Sequence, residues 1–399
     1  MKERIYLDNA ATTNLSAEVL NAMLPVLNNT FGNSSSIHSF GKDAAKLVNQ
    51  SRETIAESIN AKSNEIYFTS CGSEANTWAI VGLANANRDH GNHIITTQIE
   101  HPSVLEACKH LEQEGFEVTY LSVDKNGFIN FAEYLRALKP TTILVSIIAA
   151  NNEIGTIQNL KAIAQTAHEK DIIFHTDAVQ LYGNMDIDVE DLGIDAMTIS
   201  AHKIYGPKGI GCLYISNKVK IDALIYGGNQ ERGKHGGTLN TAGVVGFAKA
   251  SEIVMRDMRT NNFKLRSISE YFTTKLLESV ENVKIIANTR QKLPHIISVS
   301  FVGIDGESLL IKLDMAGVAV SNGCACLSNS LVVSHVMKAI GLNNDEARGT
   351  VRFSFGKNNS YEEIDKAIAI IQKAVEELRS YSSTYSMKIR KRKGDGKNV

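Results

Sequence analysis

Residues 196–215 read AMTISAHKIYGPKGIGCLYI, two short apolar runs with a polar, glycine-bearing turn between them. AMTIS (196–200) and GCLYI (211–215) read as strands, in a chain where several such runs, ILVSII (143–148) among them, lack in/out alternation, the pattern of strands buried on both faces. Lys203 follows the first run directly, and the GPKG of residues 206–209 then turns the chain into the second. A lysine taken alone is nearly always a solvated surface charge. At the carboxyl end of a buried strand, however, it lies where open α/β sheets bind ligands. Desolvation there lowers its pKa and makes it a usable amine nucleophile.

The same alternation extends upstream. Strands are expected at Glu65–Thr69, His93–Thr97, Glu117–Ser122, Thr142–Ile148 and Ile172–His175, with helical patterns at Glu74–Asn87, Ser103–Glu114 and Leu160–Lys170. Repeated β–α alternation predicts an α/β fold with a mostly parallel sheet wrapped by helices. After about Ser251 the pattern changes. A long helical stretch (Glu252–Val280) precedes strand candidates Val283–Ile286, His295–Phe301 and Thr350–Ser354. A last helix starts at Ser360, where Ser360 and Glu363 have capping-box spacing ahead of an apolar stripe through Ile364, Ala367, Ile368, Ile371 and Leu378. The expected division is a large α/β domain (13–258), a smaller α+β domain (1–12 and 259–385), and a basic, disordered tail (386–399).

Composition excludes several classes. A hydrophobic fraction of 43% and a charged fraction of 21% are those of a globular protein, and a formal net charge of -1 offers no field for nucleic acid or an anionic membrane. No apolar run approaches the ~20 residues of a membrane span, and the N-terminal MKERIYLDNAATTN has no signal-peptide core. Five cysteines, an odd number without disulfide-framework spacing, point to a reducing cytoplasm and to thiol chemistry. Direct nucleic-acid binding and membrane attachment are not expected.

A lysine holding a phosphorylated pyridine aldehyde (pyridoxal 5'-phosphate) as a Schiff base makes further demands, and candidates for each exist. Asp177, ending IIFHTD, would keep the ring nitrogen protonated so that the ring draws electrons. FTSCGSEAN (68–76) has the strand, small-residue turn and helix start that suit a phosphate, with Ser73 near the start. His101, just after another strand, could stack on the ring. Each alone has a plain structural reading: a turn aspartate, an ordinary α/β loop, a hydrogen-bonded histidine.

Taken in order, IYLDNAATT, FTSCGSEAN, EHPSV, ANNEIG, FHTDAVQ, SAHKIYGPKGIG, the GGT of KHGGT, SNGCACLS and VRFSFG resemble the cysteine desulfurases of the NifS/IscS type. These are fold-type I, class V pyridoxal-phosphate enzymes, and the motifs span Tyr6 to about Lys357. The resemblance implies Lys203 as the Schiff-base lysine, Asp177 at the pyridinium and His101 stacked on the ring. It implies Asn152 and Gln180 at the ring substituents, and Gly72, Ser73, Ser200 and His202 at the phosphate. Thr238 would reach the phosphate of the neighbouring subunit of a homodimer. Arg352, with Asn152, would hold the substrate carboxylate. Departures from the pattern are Ser73 for threonine, Ser34 for the proline of GNPSS, and His235-Gly236 for Arg-Ser, the last removing a charge near the subunit interface.

Cys108 and Cys212 lie in helical and strand patterns and read as core residues, and Cys71 sits in the phosphate turn. Cys324 and Cys326, in SNGCACLSNS, lie among small polar residues that suit an exposed thiol. With His335 they fall short of the four ligands of a structural zinc site, and no metal is expected. A redox pair, Cys324 resolving an oxidised Cys326, is compatible with the main reading. By resemblance Cys326 is the catalytic cysteine, on a loop of about twelve residues; at ~3.3 Å per residue, half of such a loop gives the thiol an arm of roughly 20 Å. The implied reaction takes sulfur from L-cysteine, leaving alanine and a persulfide on Cys326. His101 assists proton transfer. A sulfur-acceptor protein follows, in iron–sulfur assembly, tRNA thiolation or DNA phosphorothioation. Selenocysteine lysis, class V transamination and a non-catalytic scaffold are the alternatives.

Overall fold

The computed structural model describes residues 4–322 and 333–381. A short strand β1 (Ile5–Tyr6) opens the described chain. Seven strands form the large sheet: β2 (Ile66–Thr69), β3 (His93–Thr97), β4 (Glu117–Leu121), β5 (Thr142–Ser146), β6 (Ile173–Asp177), β7 (Ala196–Ser200) and β8 (Gly211–Ile215). Their order is β2-β8-β7-β6-β5-β3-β4. The run β7-β6-β5-β3-β4 is parallel, while β8 is antiparallel to both β7 and β2. The fold is therefore α/β with a mostly parallel central sheet, as the sequence implied. Every residue of β5, β7 and β8 is buried, which is why the β5 run within ILVSII shows no alternation.

A second sheet packs β9 (Val283–Ile285), β10 (Ile296–Phe301) and β12 (Thr350–Ser354) antiparallel in the order β12-β10-β9, and β11 (Val318–Ala319) pairs in parallel with β1. Among the described residues four apolar clusters form, two of them dividing the residues of the large sheet, and two of the four include residues of one long helix. One gathers part of the large sheet with Val244, Phe247, Ile253 and Val254. The other gathers Ile5, Leu7, Leu265, Phe272, Val299, Phe353 and Ile364. One helix, Thr241–Ser279, supplies residues to both.

That helix begins eleven residues earlier than the expected Glu252. Asn240 caps it by accepting from Gly243 N, and Ala242, Gly243, Val244, Gly246, Phe247, Ala248, Ala250 and Ser251 are all buried. With only Thr241, Val245 and Lys249 partly exposed, and Val245 itself apolar, these turns lack the polar face that would set off an apolar stripe, so their period does not show in the sequence. The expected helix Glu74–Asn87 is one rod with a π turn at Trp78–Gly82 between α segments Gly72–Thr77 and Leu83–Ala86.

The last helix, Tyr361–Ser380, has the capping box read from sequence: Ser360 Oγ accepts from Glu363 N, and Glu363 Oε2 accepts from Ser360 N. Its stripe of Ile364, Ala367, Ile368 and Ile371 is buried in the second cluster. Ser360→Ala is expected to cost about 1 kcal/mol, measured as a lowered urea midpoint with the denaturant slope unchanged.

Candidate active site

The carboxyl ends of β3, β5, β6 and β7 deliver the candidate residues to one edge of the large sheet, where ligands bind in open α/β folds. Lys203 ends the short 3-10 turn Ala201–Lys203 immediately after β7. Its Nζ donates to Ala10 O at 2.6 Å and Ala11 O at 2.7 Å. Burial, and then the Arg352 charge, bring its amine down to about 8, against the opposing pull of Asp177 and Asp8. Among the described residues no carboxylate forms an ion pair with it. The result is an amine that gives up its proton near neutral pH, held by carbonyls that do not compete for it as a base.

Asp177 ends β6 level with Thr198. Its Oδ1 accepts from Val179 N at 3.0 Å and its Oδ2 from Asn76 Nδ2 at 2.7 Å, so the buried carboxylate is fixed in orientation with lone pairs to spare. His101 caps the helix Pro102–Gln113, with Nδ1 accepting from Ser103 N at 3.2 Å. That bond leaves the proton of the neutral ring on Nε2. Burial lowers its pKa, with Lys203 and His335 adding to the effect and Asp177 opposing it.

The cradle is formed where β2 runs into the helix that starts at Gly72. Register aligns Thr69, Gly211 and Ser200 side by side. A Cβ on Gly211 would stand 2.7 Å from the Cys71 carbonyl carbon, so that position requires glycine, while one on Gly72 would stand a tight 3.0 Å from Val179 Cγ2. The first N–H groups of this helix are without helical acceptors, and Ser200 Oγ beside them is buried with no partner. His202 is tied back to Thr12 by Nδ1 and Oγ1 at 3.1 Å, and burial brings it down to about 4. An orphaned hydroxyl, unsatisfied amides, a fixed carboxylate and a low-pKa amine together fit pyridoxal phosphate.

Arg352, on β12, brings the second sheet into the site. Its Nη1 donates to Asn152 O and its Nη2 to Asp8 Oδ1, each at 2.8 Å. Asn152 stands in the turn after β5, and Gln180 Nε2 donates to Ala10 O at 2.9 Å. Cys324 and Cys326 lie outside the described residues. Of the flanking positions, Ser321 pairs through its backbone with Arg352, and Ser334 Oγ donates to Glu153 Oε2 at 2.6 Å. Both described flanks of the cysteine segment are thus fastened beside Arg352 and Asn152. Cys108 and Cys212 are buried, as expected of core thiols.

Thr238 is exposed, on the segment between the turn Gln230–Gly233 and the long helix. The buried Arg52–Glu231 ion pair fastens that turn. His235, expected to leave a charge missing, instead pairs through Nε2 with Glu74, which raises the imidazole pKa and favours the charged form. The helix that starts the cradle is thereby linked to the segment bearing Thr238.

Two contributors were not singled out from sequence. Asn76 orients Asp177, and the stretch Asp8–Thr13 touches Arg352, Gln180, His202 and Lys203 in turn. IYLDNAATT carries the family pattern, yet its contacts run to partners far along the chain, which no local period reveals.

The family model described as aminotransferase class-V matches residues 5–367. The chain belongs to the class-V aminotransferase family. This family depends on pyridoxal phosphate, in accord with the cradle above. The chain is 48% identical over 384 residues to "Cysteine desulfurase IscS" of Clostridium botulinum, covering 96% of this chain and 97% of that one. It is 45% identical over 378 residues to the protein of the same name from Methanosarcina thermophila, covering 95% and 93%. Among solved structures, "NIFS-LIKE PROTEIN" superposes with a TM-score of 0.89 at 36% identity, covering 94% of this chain and all of that one. "SspA in complex with cysteine" gives 0.80 at 36% identity, covering 89% and 100%. Among the described residues no helix is long and apolar enough to cross a membrane.

Proposed function

We propose that this chain is a cysteine desulfurase that takes sulfur from L-cysteine and leaves alanine. The observation that carries the reading is the low-pKa amine of Lys203, flanked by the fixed carboxylate of Asp177 and the guanidinium of Arg352. When bound, pyridoxal phosphate supplies an electron sink for the substrate α-carbon. Gly72, Ser73, Ser200 and His202 would hold its phosphate, with Thr238 of a second copy completing the set in a homodimer; the exposure of Thr238 supports this. Asp177 would keep a proton on the ring nitrogen, and His101 would stack on the ring.

Arg352 and Asn152 hold the substrate α-carboxylate, and the free amine of Lys203 moves the proton at the α-carbon. His101, neutral with its proton on Nε2, assists proton transfer near the substrate sulfur. The Cys326 thiolate attacks that sulfur. The new S–S bond makes a persulfide on Cys326, while the electron pair of the broken C–S bond stays with the carbon skeleton, which is protonated and leaves as alanine. The persulfide then passes to an acceptor protein in the cytoplasm, where free thiols persist. Residues 1–12 and 259–385 act as the small domain that carries Arg352 and Cys326.

Purified protein incubated with L-cysteine and a thiol reductant tests this directly. Equal amounts of alanine and sulfide, from a protein with the absorbance of bound pyridoxal phosphate, are expected. A colourless protein, or pyruvate in place of alanine, overturns the reading.

A further inference from the structure

Arg352 carries a buried guanidinium, with 6% of its side chain exposed, and its two acceptors are of different kinds. Asn152 O is neutral main chain. Asp8 Oδ1 is an anion, but it engages only Nη2 and does so with a single oxygen at 2.8 Å. The Nε–H of the same group is buried and has no acceptor. A buried donor without an acceptor is costly, and this one belongs to the guanidinium read above as the holder of the substrate carboxylate.

We propose that Asp8 is a placeholder counter-ion, holding Arg352 until the substrate carboxylate takes its place. This rests on the reading of Arg352 given above and adds a positioning residue to it. A buried guanidinium stripped of every anion is strongly destabilised, so the empty site needs one. A one-oxygen contact is a weak hold compared with the two parallel bonds that an α-carboxylate makes to a guanidinium. Exchange therefore satisfies a donor that Asp8 leaves open. The side chain of Asp8 is 19% exposed and has a route to water. Its backbone neighbours are pinned, Leu7 N to Ala319 O at 2.9 Å and Asn9 N to Ser354 O at 3.1 Å, so release is a side-chain rotation.

Two effects oppose each other when Asp8 is altered: lost orientation of Arg352, and lost competition with the incoming anion. Asparagine keeps an acceptor oxygen in place, and Asn152 O and β12 still fix the guanidinium. The loss of competition therefore dominates in Asp8→Asn.

Calorimetric binding of L-alanine to the holoenzyme reads this without turnover. Asp8→Asn is expected to bind L-alanine about three- to tenfold more tightly than wild type, and to lower KM for L-cysteine in the same sense. Asp8→Glu keeps the charge and should bind as wild type does. Ethylamine, which lacks the carboxylate, should bind all three equally. Should Asp8→Asn fail to fold, Asp8→Ser is the second neutral variant, with the same tightening expected. Unchanged or weaker L-alanine binding by a folded neutral variant overturns the proposal, as does a parallel change for ethylamine, which would mark a merely structural role. A wild type that makes neither alanine nor sulfide overturns the functional reading instead.

Discussion

Lys203→Ala protein should fold normally and lose about 10³-fold or more of its alanine and sulfide production, because one amine serves as both nucleophile and proton carrier. The contacts of Lys203 Nζ are two main-chain carbonyls, Ala10 O and Ala11 O. Ala10 O keeps a second donor, Gln180 Nε2, when the lysine is gone. Truncation also removes a cation whose burial already lowers its pKa to about 8, so little stability is lost with it. Lys203→Arg separates charge from chemistry, since arginine keeps the cation but cannot shed its proton. Both variants should show a thermal midpoint within a few degrees of wild type, near-background turnover, and loss of cofactor absorbance on dialysis. Wild-type turnover by either one would remove Lys203 from the mechanism.

The second large effect is expected at Cys326. Cys326→Ser should keep the cofactor absorbance and bind L-cysteine, yet lose about 10²-fold or more of sulfide release, since a hydroxyl at neutral pH is a far poorer nucleophile than a thiolate. The fixed flanks explain why binding should survive. Ser321 and Ser334 are bonded to Arg352 and Glu153 through groups that the substitution leaves untouched. Cys324→Ser is the internal control and should stay within about twofold of wild type, because the resemblance places the chemistry at Cys326, two positions beyond it. Mass spectrometry after a single turnover should find an added sulfur on Cys326 in wild type and none in Cys326→Ser. Sulfide production undiminished in Cys326→Ser would mean that the sulfur leaves without a persulfide on that residue.

How legible the site was depended on whether its signals were local. Lys203, Asp177 and the Gly72–Ser73 turn each follow a buried strand within a few residues, so a strand read from apolar runs locates them. The capping box at Ser360 is likewise a three-residue relation. The start of the long helix at Thr241 was not legible, because Gly243, Gly246 and Ala250 are buried with little apolar bulk and the partly exposed Val245 is not polar, so no contrast marks a stripe. Asp8 was missed for a different reason. Its partner Arg352 lies 344 positions away, and an aspartate in a polar N-terminal run has no local feature to set it apart. The pairing of His235 with Glu74 bridges 161 positions and was hidden in the same way.

The stretch Asp8–Thr13 has a consequence for the order in which the protein is made. Asn9 Nδ2 and Ala10 N bond to Ser354, 345 and 344 positions downstream, whereas Thr13 bonds to His202. On the ribosome, at about 5–20 residues per second, these early residues wait roughly 17–70 s for Ser354 to be synthesised. The large sheet is complete by Ile215, long before then. The site edge is thus finished last, around a segment that was translated first, and a nascent chain halted before Arg352 holds its lysine, aspartate and ribbon but lacks the arginine and serine to which the ribbon is fastened.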